Sequence, residues 1–292
     1  MDSFTRDRFH GNPAGVVPDA KGLTDEQMLS IARELNNSET AFIFEADSPD
    51  YDIEVRFFTP TTEVPICGHA TIAAHYVRAK ETHMEGGTVV QKTKAGMLPV
   101  DVVRAPNDYS ITMTQGTPAI SAPFGDAVRE RIADALGIAH EEICREYPVA
   151  VASTGHSKVM VPLYSNELLH GLQPDLQKLT KISKQIECNG YYAFTLNPQN
   201  RILVHGRMFA PAIGIAEDPV TGNANGPLGA YLVHFNILQD EDARCFDFDI
   251  MQGEAIKRDG TMHVHVEKEH GTPKLVQITG NAVIAFSTEI TI

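Results

Sequence analysis

The chain of 292 residues has room for one large domain or two of ordinary size. Its composition is that of a globular protein, with 42% apolar residues, and no apolar run approaches the roughly 20 residues of a membrane span, so no membrane partner is expected. A formal charge of −14 without a basic stripe argues against nucleic acid as a partner. The N-terminus has no signal-peptide pattern, so we expect a cytoplasmic protein whose four cysteines are reduced.

The first half of the chain predicts two helices and the strand between them. The segment MDSFT is typical of the end of a strand, so we expect further residues before Met1 to complete it. Thr24 and Gln27 form a capping-box pattern at the start of a helix. That helix is expected to bury Met28, Ile31, Ala32 and Leu35. Residues 53–57 alternate as in a strand, and an apolar helical stripe follows Gly68.

The remaining elements follow a loop that is expected at 114–118. An extra helix is predicted, with Asp126 as its N-cap and Gly137 at its end. A second helical stripe contains Leu172, Leu176, Leu179, Ile182 and Ile186. Strands are expected around 203–209, 263–266 and 282–286, with one more helix after Gly222.

Three sequence patterns occur twice, in the same order and about 150 residues apart. The pattern R-x-F-x-P begins at Arg56 and Arg207, and E-x-P-x-x-G-x-A begins at Glu63 and Glu217. The segment NSETAFIF also aligns with NGYYAFTL. We interpret these matches as a tandem duplication. The predicted fold is therefore α+β, with two similar halves that each wrap a sheet around a mostly apolar central helix.

Residues that differ between the copies are the better candidates for chemistry. The four pairs are Glu39 with Tyr191, His69 with Asn223, Cys67 with Thr221, and Asp218 with Val64. Carboxylates and an imidazole can exchange protons near neutral pH, as general acid/base catalysis requires. Each of them also has an ordinary alternative role. Glu39 can be a turn residue and His69 a helix cap. Asp218 can begin a turn, and Cys67 can be a small buried thiol.

Both repeated glycines, Gly68 and Gly222, stand at predicted helix starts. A glycine there permits a tight entry into the helix, and the N–H groups of the first turn can bind an anion. Two such helix starts that face one cleft would suit a carboxylated substrate. We therefore assign Gly68, Gly222 and the adjoining Asn223 to substrate binding.

No cofactor or metal is expected. The glycines form neither a phosphate-binding loop with a lysine nor a G-x-G-x-x-G turn, so no nucleotide or flavin is implied. His263 and His265 alternate on a predicted strand and share one face. Metal binding by this pair is the minor alternative.

Four segments resemble one known family. They are DSFTRDRFHGNPAGVV, NNSETAFIF, FFTPTTEVPICGHATIAAHYV and EDPVTGNANGPLGAYLV. Together they closely resemble the PhzF-like family of phenazine-biosynthesis isomerases, over essentially the whole chain, and within it the uncharacterised enterobacterial isomerases. The resemblance implies the diaminopimelate epimerase fold, with the active site in the cleft between the halves. It also implies that the final strand returns to the first half, which gives halves of 1–115 with 280–292, and 116–279.

The same resemblance implies roles for individual residues. It makes Glu39 the proton-abstracting acid/base, while His69 and Asp218 help to bind substrate and move protons without a cofactor. Two departures matter. The phenazine enzyme has serine in place of Asn223, so its substrate need not be the one used here. Diaminopimelate epimerases have two cysteines, whereas the counterpart of Cys67 is a threonine, so racemisation by two thiols is not expected.

We therefore expect a cofactor-independent isomerase that moves a proton on a small carboxylated metabolite. One alternative is an epimerase in which Glu39 and Cys67 act as unlike bases on opposite faces of the substrate. Another is a non-catalytic metabolite-binding protein that has kept the fold. The sequence leaves a homodimer open.

Overall fold

The computed structural model describes residues 1–238, 240 and 242–292. The chain divides into two compact units, which are Met1–Thr114 with Thr279–Ile292, and Gln115–Ile278. The sequence predicts boundaries after residues 115 and 279, each one residue later than the boundaries in the structure. Among the described residues, no helix combines the length and the apolar character that crossing a membrane requires.

Strands make up most of the regular structure. In chain order they are β1 (Asp2–Ser3), β2 (Asn12–Pro13), β3 (Gly15–Val17), β4 (Thr40–Glu45), β5 (Ile53–Phe58), β6 (Glu63–Val64), β7 (Gly87–Thr93), β8 (Gly96–Ala105), β9 (Asp108–Thr114), β10 (Ala119–Ile120), β11 (Ala150–Ser153), β12 (Ser157–Pro162), β13 (Tyr191–Leu196), β14 (Ile202–Ala210), β15 (Ile215–Asp218), β16 (Cys245–Gln252), β17 (Gly260–Glu269), β18 (Thr272–Gly280) and β19 (Ala282–Val283).

The α-helices are α1 (Asp25–Leu35), α2 (Gly68–Glu81), α3 (Asp126–Leu136), α4 (Asn166–Gly171), α5 (Leu176–Ile186) and α6 (Gly222–His234). Short 3₁₀ turns occur at His140–Glu142, Pro211–Ile213 and Glu254–Ile256.

The first unit wraps its sheet around α2. Its strand order is β9-β8-β7-β5-β4-β3, with β6 paired to β5. A small second sheet joins β19, β1 and β2, and in it Asp2 pairs with Val283. Both sheets contact α2, whose residues 69–77 are all buried, polar ones such as Thr71 and His75 included. On the outer face, α1 packs Met28 and Ile31 against Phe42.

The second unit has the same plan. Its strand order is β10-β11-β12-β13-β14-β16-β17-β18, with β15 paired to β14. The central helix is α6, which contacts β10, β11, β12 and β17. On the other face of the sheet, α3 and α5 share an apolar cluster that includes Ile132, Leu179 and Tyr191. The predicted α+β fold, with a sheet wrapped around a central helix in each half, is confirmed.

Several predicted helix ends are confirmed and two are wrong. Thr24 caps α1, where its hydroxyl accepts from the backbone N–H of Gln27 at 3.3 Å while the Gln27 side chain accepts in return at 2.9 Å. Asp126 is not the cap of α3, because Gly125 occupies that position and Asp126 is already helical. Leu172 lies outside α5, because Asp175 caps that helix through its carboxylate and the helix begins one residue later.

In each unit, the arginine of the R-x-F-x-P pattern makes a bidentate ion pair, called a fork below, with the glutamate of the E-x-P-x-x-G-x-A pattern. This contact explains why the two patterns occur together. The Arg56 guanidinium donates from Nε and Nη2 to both oxygens of Glu63, at 2.8 and 2.9 Å. Arg207 donates to Glu217 in the same way, at 2.9 and 2.8 Å. Each guanidinium also lies about 5 Å from a phenylalanine ring, that of Phe58 in the first unit and Phe209 in the second.

The two forks differ in burial. The Arg207 side chain is 8% exposed, against 21% for Arg56. Nη1 of Arg207 also donates to the carbonyl oxygens of Leu169, His170 and Leu172, at 3.1 to 3.3 Å. Nη1 of Arg56 instead donates to the carboxylate of Asp25, which is 74% exposed.

We expect Arg207→Met to destabilise the protein more than Arg56→Met does. Loss of Arg207 leaves a carboxylate and three carbonyl groups buried without their donor, which should cost about 3–5 kcal/mol of unfolding free energy. After loss of Arg56, Glu63 keeps Lys94 as a second cationic partner and the exposed Asp25 can turn to water, so this loss should cost roughly 1–2 kcal/mol. Urea denaturation of both variants measures the difference, and equal losses would contradict this account of the two forks.

Candidate active site

Glu39 and His69 meet at the start of α2. Glu39 directly precedes β4, and His69 is the second residue of α2. Because α2 packs against β4, the two side chains come together although they are 30 residues apart. The Glu39 Oε2 lies 3.4 Å from the His69 Nε2, and the side chains are 19% and 9% exposed. The structure therefore brings together two of the three predicted catalytic residues within the first unit.

Two more polar side chains surround the His69 imidazole. The Ser38 Oγ lies 3.2 Å from Nε2, and the Cys67 Sγ lies 3.4 Å from Nδ1. The main chain is fixed as well, because the Ser3 hydroxyl donates to the His69 carbonyl oxygen at 2.7 Å. Our sequence analysis missed Ser38, although it stands next to Glu39 in the chain.

The side chains of this cluster are of types that can exchange protons. A carboxylate, an imidazole and a thiol all change protonation state readily, and one atom each from Glu39, Cys67 and His69 lie within 4.8 Å of one another. The same three groups are also suitable ligands for a zinc-like ion. A Cβ on Gly68 would meet no atom within 4 Å, so crowding does not explain the glycine there, and the helix start has open space beside it.

In the second unit, Asp218 lies just before the start of α6. Its carboxylate accepts a hydrogen bond from the Thr221 hydroxyl. Gly222, the first residue of α6, is buried, while Asn223 is half-buried. Asn223 departs from helical geometry at φ −78° and ψ 16°, so the first turn of α6 is kinked at a predicted substrate-binding residue.

Gln252 holds this turn in place. Its Nε2 donates to the Asp218 carbonyl oxygen at 2.8 Å and to the Thr221 Oγ1 at 3.1 Å. Its Oε1 accepts from the Thr221 backbone N–H and from the Asn225 side chain, at 3.1 and 3.0 Å. No motif marks Gln252, because only the pairing of β14 with β16 brings it beside a turn more than 30 residues earlier.

Lys158 is a third residue that no sequence pattern marks. It lies on β12, is 6% exposed, and donates from Nζ to the Ser157 carbonyl oxygen at 3.2 Å. Its stem crosses Gly190, where a Cβ would stand 2.4 Å from the lysine Cδ. Burial lowers the pKa of this amine, and the nearby Cys188 and Asp218 oppose that shift without cancelling it. A lysine is usually expected on the surface, so its sequence position gave no signal.

Comparison with a solved structure identifies the class of fold. The crystal structure of a phenazine biosynthesis protein of the PhzF family from Bacillus anthracis superposes with a TM-score of 0.85. The two sequences are 30% identical, and the match covers 97% of each chain. The fold is therefore the epimerase-like fold of PhzF proteins.

Curated relatives define the class of enzyme and the family. An uncharacterised isomerase from Clostridium acetobutylicum is 54% identical over 99% of this chain and 96% of its own length. The uncharacterised isomerase YddE from Escherichia coli is 48% identical, with the same coverage. The protein is an isomerase. It belongs to the PhzC-PhzF family of phenazine biosynthesis-like proteins, which matches residues 1–288.

We expect Lys158→Met to raise the free energy of unfolding near neutral pH by roughly 1–2 kcal/mol, because it removes a buried charge and keeps a stem of similar shape. The folded-state pKa of Lys158 is lowered, so the unfolded chain binds more protons as pH falls below the usual value of 10.5. The wild type should therefore gain stability relative to the variant as pH rises toward that value. Urea denaturation at several pH values tests this, with the exposed Lys181→Met as the control. A gain that does not depend on pH would contradict it.

Proposed function

We propose that the protein is a cofactor-independent isomerase that moves a proton on a small carboxylated metabolite, with Glu39 as the general acid/base. The supporting observation is the distance of 3.4 Å between the Glu39 Oε2 and the His69 Nε2 at the start of α2. The isomerase names of the curated relatives support the reaction class.

In the proposed reaction, the Glu39 carboxylate takes a proton from one carbon of the metabolite, exchanges it with solvent, and delivers one proton to another carbon, so that no atom is gained or lost. His69 binds the substrate and carries the proton between sites, since its imidazole can accept and donate. The substrate carboxylate binds at the first turn of α2, where the N–H groups carry partial positive charge and Gly68 leaves space.

The spacing of the side chains argues against the epimerase with unlike bases. Two bases that act on opposite faces of one carbon each stand about 3–3.5 Å from it, and so about 6–7 Å from each other. One carboxylate oxygen of Glu39 and the sulfur of Cys67 lie within 4.8 Å of each other. This arrangement favours one carboxylate that both removes and returns the proton.

The residues of the second unit keep the roles that the family resemblance implies. We propose that Asp218 binds substrate and helps to move the proton, while Gly222 and Asn223 bind the substrate. The hydrogen bonds of Gln252 support this proposal, because they hold the Asp218 main chain and the turn before α6 in one conformation.

We expect Glu39→Gln to lower turnover by about 10²–10⁴-fold while the variant still folds and binds substrate. Glutamine keeps the shape and the hydrogen-bonding capacity of the side chain but cannot accept the substrate proton. The measurement is deuterium uptake from D₂O into small carboxylic acids, followed by mass spectrometry across a metabolite panel.

Glu34→Gln is the matched control, because Glu34 is an exposed glutamate in the same unit and should keep full activity. A Glu39→Gln enzyme as active as this control would overturn the assigned mechanism. A metabolite that binds the wild type without any deuterium exchange would favour the non-catalytic alternative.

Cys67→Ala is expected to retain activity within about tenfold, since the thiol contacts His69 but has no proton-transfer role in the proposal. The comparison uses the same exchange assay, with substrate saturation curves to separate kcat from KM. A loss of about 10²–10⁴-fold in kcat would instead give Cys67 the role of a second base.

A further inference from the structure

One face of the β16–β17 hairpin presents six side chains of types that bind metals. Strand alternation turns Phe248 and Val264 toward α6, against Gly229, and leaves the odd-numbered residues on the opposite face. The register places these residues in three cross-strand pairs, which are Cys245 with Glu267, Asp247 with His265, and Asp249 with His263.

The side chains at one end of this face already converge. The His265 Nδ1 lies 2.8 Å from the Asp247 Oδ1, and the His263 Nε2 lies 3.2 Å from the same oxygen. The sulfur of Cys245 joins them, since one atom each from Cys245, Asp247 and His265 lie within 4.8 Å of one another. A tetrahedral zinc ion with bonds of about 2.0–2.3 Å holds its ligand atoms about 3.3–3.8 Å apart. The observed separations, from 2.8 Å to at most 4.8 Å, bracket that spacing, and Cys245 and Asp247 are exposed.

The charges around these side chains also suit a cation. The face has three carboxylates, those of Asp247, Asp249 and Glu267, and Arg201 lies 3.8 Å from Asp249. A thiol, an imidazole and a carboxylate together select a zinc-like transition ion over magnesium or calcium.

We propose that Cys245, Asp247 and His265 bind one zinc-like transition-metal ion, with the His263 imidazole or a water as the fourth ligand. The site lies on the face of the sheet opposite α6. The sequence leaves metal binding by His263 and His265 as a minor alternative, and the proposed site adds Cys245 and Asp247 to these histidines. The bound ion would link β16 to β17 through side chains. Its role would be structural, since it involves none of the residues of the proposed reaction.

The test uses the full-length protein, stripped of metal and kept reduced in a buffer that does not chelate. Titration with ZnCl₂ is followed by calorimetry, and titration with Co²⁺ by absorption, because a thiolate ligand gives a sulfur-to-cobalt charge-transfer band. The wild type should bind one equivalent at this site. Cys245→Ser and His265→Gln should each weaken Zn²⁺ binding at least about tenfold, and Cys245→Ser should lose the cobalt band.

Two controls make the result specific. His270→Gln changes an exposed histidine just beyond β17 and should bind Zn²⁺ as the wild type does. Cys67→Ser removes the thiol of the other candidate cluster among the described residues, and it should keep the cobalt band that arises from Cys245. The proposal is overturned if the wild type does not bind Zn²⁺ at about 100 µM, or if Cys245→Ser binds it as tightly as the wild type. Loss of the cobalt band in Cys67→Ser alone would also overturn it and would assign the ion to the first unit.

Discussion

The fork between an arginine and a glutamate connects the framework of each unit to its candidate site residues. In the first unit, Arg56 on β5 holds Glu63, six residues before His69. In the second, Arg207 on β14 holds Glu217, the neighbour of Asp218. Because the guanidinium is planar and makes two parallel hydrogen bonds, it fixes the orientation of the glutamate carboxylate as well as its distance. The strand that leads into the central helix is thereby fixed, and so are the polar groups at the start of that helix.

The sequence predicted the features that arise from local patterns. The capping box at Thr24, the strand at β5 and the start of α2 each depend on residues close together in the chain, and the sequence predicts all three. The two wrong helix starts have local reasons too. Asp126 resembles a cap but is already helical, and the apolar stripe starts at Leu172, the C-cap of α4, and crosses a break before α5.

What the sequence did not predict depends on contacts between distant segments. Gln252 and Lys158 take part in the second unit's polar network only because neighbouring strands bring them there. Their residue types are ordinary, and no spacing distinguishes them. Glu39 and His69 were predicted as a pair because the duplicated patterns singled them out, and not because their proximity could be calculated. Comparison of the two copies therefore supplied information that a single copy lacks.

The first unit is discontinuous in the sequence, because residues 279–292 belong to it while the whole second unit lies in between. β19 pairs with β1, and the Phe4 N–H donates to the Asn281 carbonyl oxygen at 2.7 Å. During synthesis the second unit is therefore complete while the first still lacks its last strand. The first unit can therefore close only after residues 279–283 have left the ribosome, later than any residue of the second unit.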